Sequence, residues 1–222
     1  DLGDFLERRE RETAQRQGAG LARTKTGESA AEGLARFLGH EIEKMVALVT
    51  KGGGDVIKFA GDCVIAVFQA EDYVELEKDL DYHYSALALA TGQAIRVSSE
   101  MVNRQRDVVA RAGERDFGDD EVSELVAKLN IHVAIGAGMV YGYHVGGVGR
   151  KWEYLIDGPV MGQVRLADAD AGAGQVALSK EAHELVKRIE MMKTRVPSGN
   201  YLISNYLGPT TVPRFVRPWE TV

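Results

Sequence analysis

The chain has 222 residues, and its 33 acidic and 27 basic side chains give a formal net charge of -6. This balance lacks the basic surface on which nonspecific nucleic-acid binding depends, so we expect no nucleic-acid partner. The one cysteine, Cys63, excludes an internal disulfide and favours a cytoplasmic location, and we expect it to be a small buried residue. No apolar run approaches the length of a membrane span, so we expect none. The length suits one large domain or two small ones, and we expect a single domain over residues 1–222. Because the chain begins with Asp1, we expect it to be a piece of a longer protein.

The first predicted helix follows a capping box, in which Ser29 is followed three residues later by Glu32. The glycines at 52–54 are expected to end this helix, since glycine adopts the left-handed conformation that closes many helices. Between these ends, apolar side chains recur at the spacing of one helix face, at Leu34, Leu38, Ile42, Met45 and Val49.

The stretch GGGDVIKFAGDCVIAVF predicts a tight β-hairpin. Two apolar strands, at 56–59 and 64–68, flank Gly61 and Asp62, and a two-residue connection of this type is a strong hairpin signal. Asp62 then has two interpretations. It is either a turn residue that hydrogen-bonds nearby backbone, or a metal ligand at the hairpin tip, with Lys58 facing a phosphate or a base. The local pattern leaves both open.

The rest of the chain alternates predicted helices and strands. A long helix is expected at about 80–110, and a second hairpin is expected to pair 131–137 with 139–145 through a bend at Gly136 and Gly138. Further along we expect a strand in KWEYLIDG, a helix that begins at Pro159, a strand in GQVALS, a short helix in KEAHELVKR, and strands near Tyr201 and Phe215.

Helices that alternate with hairpins predict the fold class. We expect an α+β domain, in which a ferredoxin-like mixed or antiparallel sheet carries helices on its faces. In this prediction, residues from about 195 to 222 form a C-terminal extension of the single domain.

Four segments resemble, in the same order, the motifs of class III nucleotidyl cyclase catalytic domains. DLGDF at the start is similar to their D-I-S-G-F segment, and GGGDVIKFAGDCVIAVF is similar to their GGD-x-(I/L)-K-x-x-GD hairpin. IHVAIGAGMVYGYHVGG and EYLIDGPVMGQVRLADADAG resemble the two motifs that follow. KFAGD, together with a last motif that lacks its asparagine, most resembles the first catalytic half (C1) of the soluble, bicarbonate-responsive adenylyl cyclases.

This resemblance implies an adenylate cyclase, a phosphorus–oxygen lyase that converts ATP to cAMP and pyrophosphate. It implies two Mg²⁺ or Mn²⁺ ions per complete site, held by the carboxylates of Asp1 and Asp62 and the backbone carbonyl of Leu2. Magnesium is commonly bound in this way, by one or two carboxylates together with substrate phosphates. Phe5 and Gly61 are the further positions that the resemblance assigns to binding of the substrate or an anion.

Family members act as dimers in which each half completes the other's site. The asparagine that acts in the transition state falls on Met161, and its arginine partner falls on Arg165, a catalytic position by the same comparison. The base-binding lysine falls on Lys58, and its usual acidic or threonine partner falls on Tyr154. Because Met161 cannot donate a hydrogen bond, we expect a poor homodimer and activity only with a C2-like half, in the same protein or another.

The second, degenerate site of such a pair would hold Lys58, Ile156 and Arg165, which match the bicarbonate-binding positions of the soluble cyclases. Two cations at a small pocket suit an anion. The alternative is that Arg165 makes an internal salt bridge and that Lys58 extends into solvent. For the whole domain, the alternative is a catalytically inactive cyclase-homology module that regulates or scaffolds by dimerising. A diguanylate-cyclase domain is disfavoured, because the GG(D/E)EF acids are absent from the hairpin.

Overall fold

A computed structural model describes residues 30–73, 85–112 and 129–208. The predictions for Ser29 and for a strand near Phe215 lie outside these residues. The helices are α1 (Ala30–Lys51), α2 (Ala86–Ala112), α3 (Pro159–Asp170) and α4 (Lys180–Leu185). The strands are β1 (Asp55–Ala60), β2 (Cys63–Val67), β3 (Val133–Ile135), β4 (Tyr141–Gly146), β5 (Trp152–Asp157), β6 (Val176–Leu178), β7 (Met191–Arg195) and β8 (Tyr201–Tyr206).

The described strands form a four-stranded sheet and two separate hairpins, β1–β2 and β4–β5. The sheet order is β3-β6-β8-β7, in which β3 and β6 are parallel and the other neighbours are antiparallel. Every residue of β6 is buried, and Leu178 packs in one cluster with Ile95 of α2 and Val186 after α4. This mixed sheet with packed helices confirms the predicted α+β fold class.

Helix α1 ends at the glycines, as predicted. Gly53 has a φ of 83°, the left-handed conformation, and its N–H donates to the Thr50 carbonyl. The N–H of Gly54 donates to the Val49 carbonyl at 2.9 Å. These two bonds satisfy carbonyls that the helix leaves open, and they constitute a Schellman motif. The chain then turns directly into β1, which fixes where the first hairpin begins.

Helix α2 begins at Ala86, where Ser85 caps its first turn, and the predicted start near residue 80 lies outside the described residues. The Ser85 Oγ accepts a hydrogen bond from the Ala88 N–H at 3.2 Å, the role that serine commonly has before a helix. Of the small residues predicted to allow close packing, Ala86, Ala88 and Ala90 are buried and Ala94 is half-buried. Among the described residues, no helix combines the length and the apolar character needed to cross a bilayer.

The second predicted hairpin is wrong, because β3 and β4 pair with different strands. β3 runs parallel to β6 in the four-stranded sheet, whereas β4 forms an antiparallel hairpin with β5. At the end of β3, the Ser179 N–H donates to the Ile135 carbonyl, and the Ala137 N–H donates to Gln163 Oε1. These bonds hold the backbone against β6 and α3. Residues 136–138 therefore lead the chain away from the sheet and do not form the turn of a β3–β4 hairpin.

The last two described strands complete the sheet. β8 confirms the strand predicted near Tyr201 and lies between β6 and β7, although it belongs to the predicted extension beyond residue 195. β7 was not predicted, since its sequence MMKTR mixes apolar and charged residues. β7 is the last strand in the sheet order, and the charged Lys193 and Arg195 are of the kind that edge strands carry.

A buried histidine on α4 is expected to make folding stability depend on pH. The His183 ring stacks on Tyr201 with centroids 3.8 Å apart, and neither ring nitrogen makes a hydrogen bond. Burial lowers the pKa of His183 below its usual 6.5, and the charges of Lys193 and Lys187 lower it further, whereas Glu184 raises it. The folded ring therefore stays neutral at a pH at which the unfolded chain already takes up a proton, so stability falls as pH falls below about 6.5.

The variant His183→Phe keeps a ring against Tyr201 and removes the titrating group. We expect it to reduce the slope of the free energy of unfolding against pH by up to about 1.4 kcal/mol per pH unit, the effect of one proton. Urea unfolding between about pH 5 and pH 7 measures this slope. Equal slopes for the wild-type chain and the variant would show that His183 does not contribute.

Candidate functional site

The β1–β2 hairpin ends in a two-residue turn, as predicted. The antiparallel register pairs Ala60 with Cys63, so Gly61 and Asp62 alone make the connection, and the φ of Gly61, 65°, is the positive value that such turns need. Asp62 is exposed at this tip and makes no hydrogen bond or ion pair with another described residue. Its carboxylate is therefore open to a ligand and is not used to close the turn.

Negative charge collects beside this tip. Cys63 is exposed, contrary to the predicted burial, because it directly follows the turn at the tip of the β1–β2 hairpin. Partial desolvation raises the pKa of the Cys63 thiol, and the carboxylates of Asp168 and Asp62 raise it further. A field that disfavours a thiolate favours a cation. Asp62 of the hairpin and Asp168 of α3 are together called the acidic corner below, although Asp168 Oδ1 also lies 3.0 Å from Nε2 of His132.

The Asp62 carboxylate at the acidic corner could serve as one ligand of a magnesium-type ion. An ionised carboxylate is an acceptor-only oxygen ligand, the type that Mg²⁺ takes beside phosphates. The other predicted ligands, Asp1 and Leu2, and the predicted substrate contact Phe5 lie outside the described residues. Within residues 30–73, 85–112 and 129–208, no group of three or more His, Cys, Asp or Glu could hold a metal alone.

Lys58 makes an ion pair across the two hairpins. Its Nζ contacts Oε1 of Glu153 on β5, 95 positions further along the chain. The β1–β2 register shifts between Val56 and Lys58, so that Ile57 is an extra residue in β1. A bulge of this kind redirects the side chains next to it. Nothing in the local sequence indicated this pair, because the two residues belong to different motifs.

Tyr154, the position matched to the usual partner of the lysine, packs within its own hairpin. Its ring occupies the space that a Cβ on Gly142 would need, so glycine lets the ring lie over β4. Successive residues of a strand face opposite sides. Tyr154 and Ile156 accordingly share the half-buried face of β5, and Glu153 lies on its exposed face. The ion pair of Lys58 is therefore made on the side of β5 opposite to Ile156.

Helix α3 carries the two positions matched to transition-state residues. It begins at Pro159, as predicted, after Gly158 with a φ of 135°. Met161 is half-buried, whereas Arg165 is exposed and makes no ion pair or hydrogen bond with another residue in the described ranges. The anion site was predicted to contain two cations. Lys58 is already ion-paired with Glu153, whereas Arg165 has no ion-pair partner among the described residues.

Gln163 holds α3 in place, and sequence reasoning did not single it out. Its Oε1 accepts hydrogen bonds from the Ala137 N–H at 3.1 Å and from the Ser179 Oγ at 3.0 Å. Ser179 Oγ also accepts from the Ala182 N–H at 3.0 Å, which caps α4. The helix that carries Met161 is therefore tied to the ends of β3 and β6. One glutamine in a helix has no distinctive sequence signal.

The β4–β5 hairpin exposes a broad apolar surface, which we call the hairpin surface. Exposed apolar patches of this type are typical of sites that contact another protein. Its tip turns through Gly147 and Arg150, both with positive φ. By the β4–β5 register, Tyr141, Tyr143, Val145 and Leu155 share one exposed face, and Val148 is exposed in the turn at its end.

In sequence, neither a family model nor a curated protein matches the chain. Solved structures do match it in fold. The guanylyl cyclase Cya2 aligns with a TM-score of 0.54 and 16% identity, over 86% of this chain and 89% of that one. The adenylyl cyclase CyaB from P. aeruginosa aligns with a TM-score of 0.51 and 17% identity, over 84% of this chain and 86% of that one.

A third match is the guanylate cyclase domain of RhGC from Catenaria anguillulae, solved in complex with GTP. It has a TM-score of 0.52 and 12% identity, and the alignment covers 76% of this chain and 82% of that one. At these identities the comparisons show the fold alone. The chain has the α+β fold of class III nucleotidyl cyclase catalytic domains, and adenylyl and guanylyl cyclases both have that fold.

Proposed function

Since the chain has the class III cyclase fold, we propose that it is the metal-binding half of a dimeric adenylyl cyclase. The reaction is the conversion of ATP to cAMP and pyrophosphate, by attack of the ribose 3′ oxygen on the α-phosphate. The observation that carries the proposal is Asp62, a carboxylate that is exposed at the tip of the β1–β2 hairpin and has no partner among the described residues.

In this proposal, Asp62 and Asp1 hold two Mg²⁺ or Mn²⁺ ions, with the carbonyl of Leu2 as a further ligand. Such ions, when bound, activate the attacking oxygen and neutralise charge on the phosphates. The tight turn at Gly61 presents Asp62 beyond the strands, where a triphosphate can approach it. Phe5 and Gly61 line the bound substrate.

A second half must complete the site. Met161 occupies the position of the transition-state asparagine, and its thioether cannot donate a hydrogen bond. We therefore propose a C2-like partner half, which supplies the missing donor and the contacts to the base. The hairpin surface is apolar and exposed, and it is suited to contact this partner. A homodimer would lack the asparagine in both of its sites.

The other site of this pair is proposed to be an anion pocket of Lys58, Ile156 and Arg165 that takes bicarbonate. Arg165 is exposed on α3 and is open to such an anion. Its guanidinium is always charged and offers several donors, which suits a small planar oxyanion.

The second candidate function is a catalytically inactive module that regulates or scaffolds by dimerising. Met161 favours it, since this residue removes a transition-state donor while the fold remains intact. The hairpin surface would serve dimerisation equally well in this case. Asp62 argues against it, because a module of this kind has no need of an exposed carboxylate at the tip that no residue in the described ranges pairs with.

The test is cAMP formation from Mg-ATP by the chain alone and by the chain mixed with a C2-like half, each with and without bicarbonate. Activity only in the mixture supports the proposed function, and parallel assays with GTP test the choice of nucleotide. A bicarbonate response that disappears in Arg165→Ala supports the anion pocket. Inactive mixtures of chains that fold and dimerise would favour the scaffold function.

A further inference from the structure

We propose that Glu153 is a built-in anion that competes with free bicarbonate for Lys58. Of the two cations assigned to the proposed anion pocket, Arg165 makes no ion pair with another described residue, and Lys58 is held by a carboxylate of the same chain. This inference rests on the proposed anion pocket and adds a residue that controls how strongly that pocket binds.

The ion pair lies partly in solvent. The side chain of Lys58 is 32% exposed and that of Glu153 is 59% exposed. Ion pairs with this much exposure are weak, because water screens them and two long side chains must be ordered. The pair can therefore open at small cost, and a free anion can replace the carboxylate.

The alternation of side chains along β5 places Glu153 and Ile156 on opposite faces, so the ammonium of Lys58 has one position at Glu153 and another at the proposed anion pocket. Glu153 lies on the exposed face of β5, and Ile156 lies on the opposite, half-buried face. When Lys58 contacts Glu153, its ammonium is held on the side away from Ile156. In the proposed competition, an anion that binds between Lys58, Ile156 and Arg165 draws the ammonium away from Glu153. The carboxylate and the free anion then compete for the same lysine.

The strength of this competition follows from the weakness of the pair. A tethered carboxylate acts as an intramolecular ligand, so it competes at any protein concentration. An exposed ion pair favours its closed form over the open form by a factor of about 1.5 to 5. The affinity of the pocket for a free anion is then reduced about two- to six-fold, and removal of the carboxylate restores it.

The experiment measures bicarbonate binding by the chain through line broadening of ¹³C-bicarbonate, at constant pH and ionic strength. We expect Glu153→Gln to bind bicarbonate about two- to six-fold more tightly than the wild-type chain. The matched control is Asp157→Asn, which removes a charge from the same exposed face of β5. Its side-chain oxygen can still accept the hydrogen bond that Asp157 Oδ1 takes from the Gly158 N–H. This control should bind like the wild-type chain.

A double variant separates competition for the lysine from general charge. In a Lys58→Gln background, adding Glu153→Gln should leave bicarbonate binding unchanged, because nothing remains to be released. A gain of the same size in that background, or in Asp157→Asn, would overturn the proposal, as would equal binding by Glu153→Gln and wild type. Absence of binding in every variant would overturn the anion pocket as well. The metal-half function would still be judged separately, by cAMP formation in the mixed assay.

Discussion

Asp62→Ala is expected to lower cAMP formation by the chain and its C2-like partner by about 100-fold or more. Of the proposed metal ligands, Asp62 lies within the residues that the structure describes. Lewis-acid stabilisation by a bound ion is worth several kcal/mol, and about 3 kcal/mol corresponds to about 100-fold in rate. Initial rates at a series of Mg²⁺ and Mn²⁺ concentrations measure the loss and show whether excess metal restores activity.

The control is Asp55→Asn at the other end of the same hairpin. Asp55 Oδ2 accepts a hydrogen bond from Gln69 Nε2 at 3.2 Å, and an asparagine carbonyl can accept it as well. This variant removes one negative charge from β1–β2 and should retain activity. Asp62→Ala should also fold normally, within about 0.5 kcal/mol of the wild-type free energy of unfolding, because the side chain is exposed. A folded Asp62→Ala chain with full activity would exclude Asp62 as a metal ligand.

Leu178→Ala is expected to reduce the free energy of unfolding by about 2–5 kcal/mol. Leu178 is fully buried in β6, between β3 and β8 in the sheet. Its truncation removes transfer free energy and leaves a cavity that close-packed neighbours fill only in part. The loss is a large share of the roughly 5–15 kcal/mol that stabilises a typical domain. Urea unfolding at neutral pH gives the value.

Leu166→Ala is the matched control, since it removes the same atoms from a side chain of α3 that is 56% exposed. Its cost should be below about 0.5 kcal/mol, as for most surface substitutions. Similar losses for the two variants would contradict the position of β6 at the centre of the core.

The elements that could be predicted depend on short stretches of chain. The Gly61-Asp62 turn, the end of α1 at the glycines and the start of α3 at Pro159 each follow from backbone preferences of one or two residues. The motifs that resemble the cyclases added an expected role for Asp62, and its open carboxylate at the hairpin tip is compatible with that role.

The sequence predictions that were wrong concern the strand with which β3 pairs and the burial of Cys63. Residues 131–137 were expected to pair with the next strand, but β3 pairs with β6, because its backbone bonds are made with residues beyond α3. A run of apolar residues identifies a strand without identifying its neighbour. Burial is the common state of cysteine and was the prediction for Cys63, yet this residue directly follows the hairpin turn and is exposed.

By itself, the sequence determined the local elements of this protein, including a hairpin that ends in an exposed aspartate. Turn and capping preferences act over a few residues, so they can be read without knowledge of the rest of the chain. Only the tertiary structure decided that β8 lies inside the sheet and that Lys58 meets Glu153, 95 positions away. Such contacts depend on how whole elements pack, because closing a long loop is favourable only when many distant groups meet together.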